Sequence, residues 1–239
     1  MKEDMCRKSR PFIFRKKGRG FLISTISSEG DSMNTVAVKK KNTLLQTRSI
    51  AGMAMLAAVS YLLAFLEFNV PLSPPFAMMD ISDLPALIGA MAINPFAGVI
   101  IELVKNLLQL FSTSTAGIGE LANFIIGASF VFSAGMLYHK AKWKAWLSCL
   151  VGSAVMAVVA AVTNYFILLP MFSMFMPIDQ VIASFGTFIP FIKTQLDVVL
   201  YNVIPFNFLK GIVISAITLP VFRKLAPVLA GPSAKRKTA

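Results

Sequence analysis

The sequence predicts an all-α, polytopic membrane protein with six transmembrane helices and both termini in the cytoplasm, and three observations point there. The first is a shortage of charge: 56% of the 239 residues are hydrophobic and only 14% are charged, whereas a soluble domain carries about 25% charged residues. The second is that the shortage is concentrated. Residues 49–68, 121–138, 146–169 and 198–222 are almost wholly apolar, and a bilayer core of about 30 Å is crossed by roughly 20 helical residues. One such run could be a buried helix, but four cannot be hidden inside a soluble protein of 26.0 kDa. The third is the placement of the cations. A net charge of +12 would suit a nucleic-acid partner, yet 12 of the 23 Lys and Arg lie in residues 1–48, three in 140–144 and five in 223–237. These clusters flank the apolar runs, which is the positive-inside pattern. No basic patch interleaved with aromatics occurs on a soluble segment, so no nucleic-acid partner is expected.

Along the chain, residues 1–48 read as a basic cytoplasmic tail with the composition of a disordered segment. Residues 21–26 are too short and too polar for the core of a signal peptide, and no small-residue cleavage site follows. Met33 is an alternative start, because MNTVAVKKKN has the form of a short cytoplasmic lead-in. The membrane domain is expected over 49–224 and a second basic tail over 225–239. Charge parity then sets the number of crossings. The first tail, the 139–144 loop and the C-terminus should share one side, so an even number of spans separates each pair. Two runs between 144 and 223 satisfy this. Between 48 and 140 there are two clear runs, so the stretch 81–111 crosses twice or not at all. Ile93-Asn94-Pro95-Phe96-Ala97-Gly98 supplies its turn, since proline removes a donor and glycine permits a reversal. The stretch therefore divides into a short helix over 81–93 and a partner over 96–111. The external loops become 69–80, 112–119 and 170–196, with Lys193 their one basic residue. The third contains FSMFMPIDQVIASFGTF and is expected to form a partly ordered lid. No inverted repeat is visible, which speaks against a self-contained secondary transporter.

Enzyme chemistry finds little support. The single histidine, His139, lies in a basic loop, and Cys6 and Cys149 form neither a disulfide framework nor a zinc spacing. No metal-ligand cluster, nucleophile–base pair or Walker A motif is present. No catalytic residue, metal or cofactor is expected. Gly117-Ile118-Gly119-Glu120-Leu121-Ala122 matches GxGxxA, but without a preceding strand it reads as a glycine-rich entry into a helix. The rival reading is a membrane enzyme acting on a lipid or peptide through Glu102, Asp197 or His139. It needs a carboxylate–base constellation that no spacing assembles.

Polar groups inside apolar spans are expensive in lipid and mark functional positions. Glu102 and Lys105 sit three apart with Asn106 beside them, either a self-neutralising pair or a proton relay. Asn164 lies near the outer end of the fifth span. Asn207 and Lys210 share a face of the sixth, just after Pro205, a residue tolerated where backbone lines a cavity. Lys210 has no carboxylate at helical spacing, so it requires a polar ligand, a partner from another helix or water. Two amides and an amine among phenylalanines and methionines suit a flat, amphipathic heteroaromatic ligand; the alternative is interhelical hydrogen bonding alone. Ala51, Ala54, Ala57 and Ala58 make the first helix smooth, and Ala54 to Ala58 is a small-xxx-small pattern. It serves either internal packing or docking on a partner membrane subunit.

Six stretches in order, AMLAAVSYLLAFLEF, PPFAMMDISDLPALIGA, NPFAGVIIELVKNLLQL, GIGELANFIIGASF, TNYFILLPMF and IPFNFLKGIVIS, resemble the riboflavin-specific substrate-binding (S) components of energy-coupling factor transporters. The resemblance runs from about residue 50 to 224. It implies a six-helix subunit in the cell membrane that captures riboflavin outside and docks on a transmembrane coupling protein with two cytoplasmic ATPases. Riboflavin would then be a transported substrate, not a cofactor. An S component for another vitamin is the nearest alternative. By resemblance, Asn164, Asn207 and Lys210 contact the flavin, Gly119 offers a backbone contact, and Ala54 and Ala58 belong to the docking motif. The polar Gly117-Ile118-Gly119-Glu120 loop is a departure from the family pattern.

Overall fold

The computed structural model describes residues 47–66, 68–69, 78–112, 117–173, 177–187 and 192–229, all within one unit that spans 40–239. Residues 1–46 of the expected disordered tail, the Met33 start among them, and residues 230–239 lie outside the described residues, while Thr47 and Arg48 of that expected tail belong to the first helix.

Helix α1 (Thr47–Ala64) is followed by a two-residue antiparallel pairing of β1 (Phe68–Asn69) with β2 (Met78–Met79), a detail the all-α expectation did not include. Then come α2 (Asp83–Ala92) and α3 (Pro95–Gln109). The turn expected at Ile93-Asn94-Pro95 separates them. Asn94 caps α3 by accepting the Ala97 N–H on Oδ1 at 3.0 Å, and Pro95 takes the first helical position, where its missing donor costs nothing. Helices α4 (Ile118–His139) and α5 (Ala145–Thr163) are long. A π-helical turn, Asn164–Leu168, carries α5 into α6 (Leu169–Phe172). Helix α7 (Ile178–Gly186) falls in the segment expected to form a lid. It turns Phe185 inward and leaves Asp179, Gln180 and Ala183 exposed. Finally α8 (Gln195–Val198) passes through a second π turn, Val199–Val203, into α9 (Ile204–Leu229), which takes in the first five residues, 225–229, of the expected C-terminal tail.

Among the described residues, three helices are long and apolar enough to cross a membrane: Ile118–His139, Ala145–Met171 and Gln195–Leu225. The outside of the bundle is apolar. Met55, Leu62, Leu107, Val158 and Leu209 on four different helices all point outward. Such a surface on a soluble monomer would be an aggregation liability, whereas lipid solvates it. The interior is organised around α2, which packs against α1, α3, α4 and α9 and buries eight of its ten residues. Gly98 lets α3 approach it closely: a Cβ there would lie 2.6 Å from Ala90 Cβ and 2.9 Å from the Ala86 carbonyl oxygen.

Candidate functional site

The N-terminal end of α2 holds the densest polar cluster among the described residues. Asp80, Ser82 and Asp83 meet Glu102, Lys105 and Asn106 of α3 and Lys210 of α9, and all seven side chains are buried. Lys105 Nζ lies 2.6 Å from Asp83 Oδ1 and 2.7 Å from Glu102 Oε2, and it donates to Ser82 Oγ at 3.0 Å. Its three protons are thereby committed. Ser82 Oγ donates onward to Asp80 Oδ1 at 2.7 Å, and the Ser60 hydroxyl of α1 donates to the Ser82 carbonyl. Asn106 Nδ2 donates to the Glu102 carbonyl at 2.8 Å and accepts on Oδ1 from Asn123 of α4 at 3.3 Å. Gly127 on α4 makes room for the carboxylates: a Cβ there would sit 3.0 Å from Glu102 Oε2 and 3.4 Å from Asp83 Oδ1.

Lys210 is held differently. Its Nζ is 3.4 Å from Asp80 Oδ1 and 3.4 Å from Asp83 Oδ2, beyond the 2.7–2.9 Å typical of a charge-assisted hydrogen bond. Two carboxylates neutralise the amine without consuming its donors. Of the three possibilities open for Lys210 in the sequence, the structure shows a partner from other elements, Asp80 and Asp83. The Glu102–Lys105 pair exists as expected, but it is not self-sufficient, because Asp83 shares the same ammonium.

Asn207 and Lys210 do lie on one face of α9, both buried. Asn164 is half-buried at the start of the first π turn, and that turn packs against the second. Each amide donates to the carbonyl four residues back, Asn164 to Ala160 at 2.8 Å and Asn207 to Val203 at 2.9 Å. One N–H of each Nδ2 is engaged in the helix, so each asparagine keeps Oδ1 as an acceptor and a second N–H as a donor. Gly119 is half-buried in the first turn of α4, after Gly117 at φ +87°. Ala54 and Ala58 are exposed on α1, while Ala57 between them is buried.

The residues of the rival enzyme reading do not assemble. Glu102 is buried in the ion cluster, Asp197 forms a capping box with Thr194 at the start of α8, and His139 Nε2 lies 3.1 Å from the Ala90 carbonyl at the end of α4. What spacing could not reveal is Asp80 and Asp83. The available signal was two aspartates, in Asp80-Ile81-Ser82-Asp83, directly before an apolar run, together with an intramembrane lysine that lacked a carboxylate.

A family model described as the substrate-specific component of ECF transporters matches residues 48–222. Among curated proteins, the riboflavin transporter RibU of Staphylococcus aureus is 34% identical over 80% of this chain and 97% of its own. The riboflavin transporter FmnP of Bacillus subtilis is 33% identical over 77% and 94%. A solved structure of the S component of a bacterial ECF transporter superposes with a TM-score of 0.62 at 31% identity, over 77% of this chain and 98% of that one.

Proposed function

This chain belongs to the family of substrate-specific components of ECF transporters, and from that premise we propose that it is the riboflavin-binding membrane subunit of an ATP-driven importer. It is a transporter component and not an enzyme. The relatives named above are riboflavin transporters, and the observation that carries the reading within this chain is Lys210. A buried ammonium, neutralised by two carboxylates at 3.4 Å and free to donate, suits a carbonyl-bearing neutral heteroaromatic. The imide edge of a flavin presents an N–H between two carbonyl oxygens. Lys210 can donate to a carbonyl, and the Oδ1 atoms of Asn164 and Asn207 can accept the N–H or a ribityl hydroxyl. Gly119 would add a backbone contact. The flavin enters from outside and leaves inside with the help of a transmembrane coupling protein and two cytoplasmic ATPases, which supply the energy that a chain without a Walker A motif cannot.

Flavin titration of the purified protein tests the site. A hydrogen bond from a charged donor is worth about 1.5–3 kcal/mol, and about 1.4 kcal/mol is tenfold in affinity, so Lys210→Ala should weaken binding roughly 10- to 100-fold. Asn164→Ala and Asn207→Ala should each cost somewhat less, and His139→Ala nothing. Wild-type affinity in all three site variants would place the flavin elsewhere.

The chain would cross the cell membrane six times with both termini in the cytoplasm. The 139–144 loop and Arg223 lie at one end of the bundle, where Tyr138 packs edge-on against Phe222 with ring centroids 5.7 Å apart. That proximity supports the parity argument, since two spans separate the loop from Arg223. A cysteine placed at position 142 should react only with membrane-permeant reagents, and one at position 179 with impermeant ones as well. The opposite labelling pattern would invert the topology.

A further inference from the structure

The end of the bundle away from the ion cluster has a cavity of about 420 Å³ between the end of α4, the start of α5 and the last turns of α9. Its apolar floor is Tyr138, Leu219 and Phe222, and its rim carries Trp143, Trp146, Lys144 and Arg223. Both tryptophans are exposed, at 41% and 55%. Three features bear on what it takes. Charge comes first: Lys140, Lys142, Lys144, Arg223 and Lys224 crowd this end, and neither 139–150 nor 204–229 contains a carboxylate. Among the described residues no acidic group pairs with Lys144 or Arg223, so an anion at the rim competes with no internal partner. The amphipathic profile is second. Indole rings above an apolar floor, beside cations, form the chemistry of the headgroup layer of a bilayer, where tryptophan concentrates and basic residues gather anionic lipid. Location is third: α1, with the exposed Ala54 and Ala58, packs chiefly on α2 and α3, so a partner seated there leaves this face open.

We infer that this cavity is a binding site for an anionic phospholipid, with the headgroup phosphate between Lys144 and Arg223 and the first carbons of an acyl chain over Leu219 and Phe222. The volume admits a phosphodiester and its glycerol but not a whole lipid, so the chains extend outward along the apolar surface of α5 and α9. Guanidinium and ammonium groups both match phosphate oxygens. The inference is independent of the flavin site, which lies at the other end of α9.

The test uses the full-length protein purified in a neutral detergent, with added phosphatidylglycerol, phosphatidylcholine or inorganic phosphate, and reads the thermal unfolding midpoint. Phosphatidylglycerol should raise the midpoint by about 5 °C or more when in large excess over its dissociation constant, and the other two should not. The Lys144→Gln/Arg223→Gln variant should lose that preference while retaining wild-type flavin affinity, which shows that it is folded. Lys140→Gln/Lys142→Gln, which removes equal charge outside the cavity lining, should retain it. Equal shifts from the two lipids would overturn the proposal, as would an equal shift from inorganic phosphate. So would a preference that survives in the first variant, or one lost equally in both.

Discussion

Replacing Ala54 and Ala58 together with phenylalanine is expected to leave flavin affinity within about twofold of the parent protein and to abolish ATP-coupled uptake. The two alanines sit one turn apart on the exposed side of α1. Internal packing is the task of Ala57, which is 3% exposed, together with Met53, Leu56 and Ser60. Small side chains spaced by four let two helix backbones approach in lipid, where packing and not hydrophobic burial drives association. Two phenyl groups would hold a partner helix several ångströms away, while presenting nothing that lipid disfavours. The measurement pairs flavin titration of the purified subunit with uptake in cells that contain the coupling protein and ATPases. Wild-type uptake by the double variant would remove α1 as the docking surface.

A comparably large effect, on the fold this time, is expected of Lys105→Met. Methionine fills much of the same space but removes the charge that sits 2.6 and 2.7 Å from two fully buried carboxylates. Breaking a buried pair from one side costs about 3–5 kcal/mol, a large part of the roughly 5–15 kcal/mol that stabilises a typical fold. The amount of folded protein recovered from membranes should drop several-fold. Adding Glu102→Leu should restore part of it, because Asp83 still has Lys210 at 3.4 Å and the orphaned glutamate is gone. Undiminished recovery of the single variant would mean that the Lys105 cluster contributes nothing to the fold.

The contrast between Lys105 and Lys210 also shows how much of this molecule could be read from its sequence. Contacts made within one helix were legible. The Glu102–Lys105 pair and the shared face of Asn207 and Lys210 follow from a spacing of three, and the α2–α3 turn follows from Asn94 and Pro95. Contacts between elements were not. Asp83 reaches Lys105 across 22 positions and Lys210 across many more, and no periodicity encodes a pairing of that kind. The π turns at Asn164–Leu168 and Val199–Val203 were equally hidden, because a single extra residue in a turn leaves no mark on an apolar run. The smoothness of α1 was visible, but which alanine faced inward was not: a helix apolar all round has no face that composition can single out.

Helix α2 carries one further consequence, for how a solute gets from one side to the other. Ten residues at about 1.5 Å each make a rod of roughly 15 Å, about half the hydrocarbon thickness. The rod stands below the ion cluster like a cork. Its Leu87, Ile88 and Met91 are no more than 1% exposed, and helices on several sides grip it. A conduit through the centre would mean extracting that rod, leaving Asp83 without its lysines and the neighbouring helices facing a void. Moving the cargo together with the whole barrel of helices around it disturbs none of those contacts. A protein built on a cork is suited to be carried or tipped as a unit, and unsuited to act as a pipe.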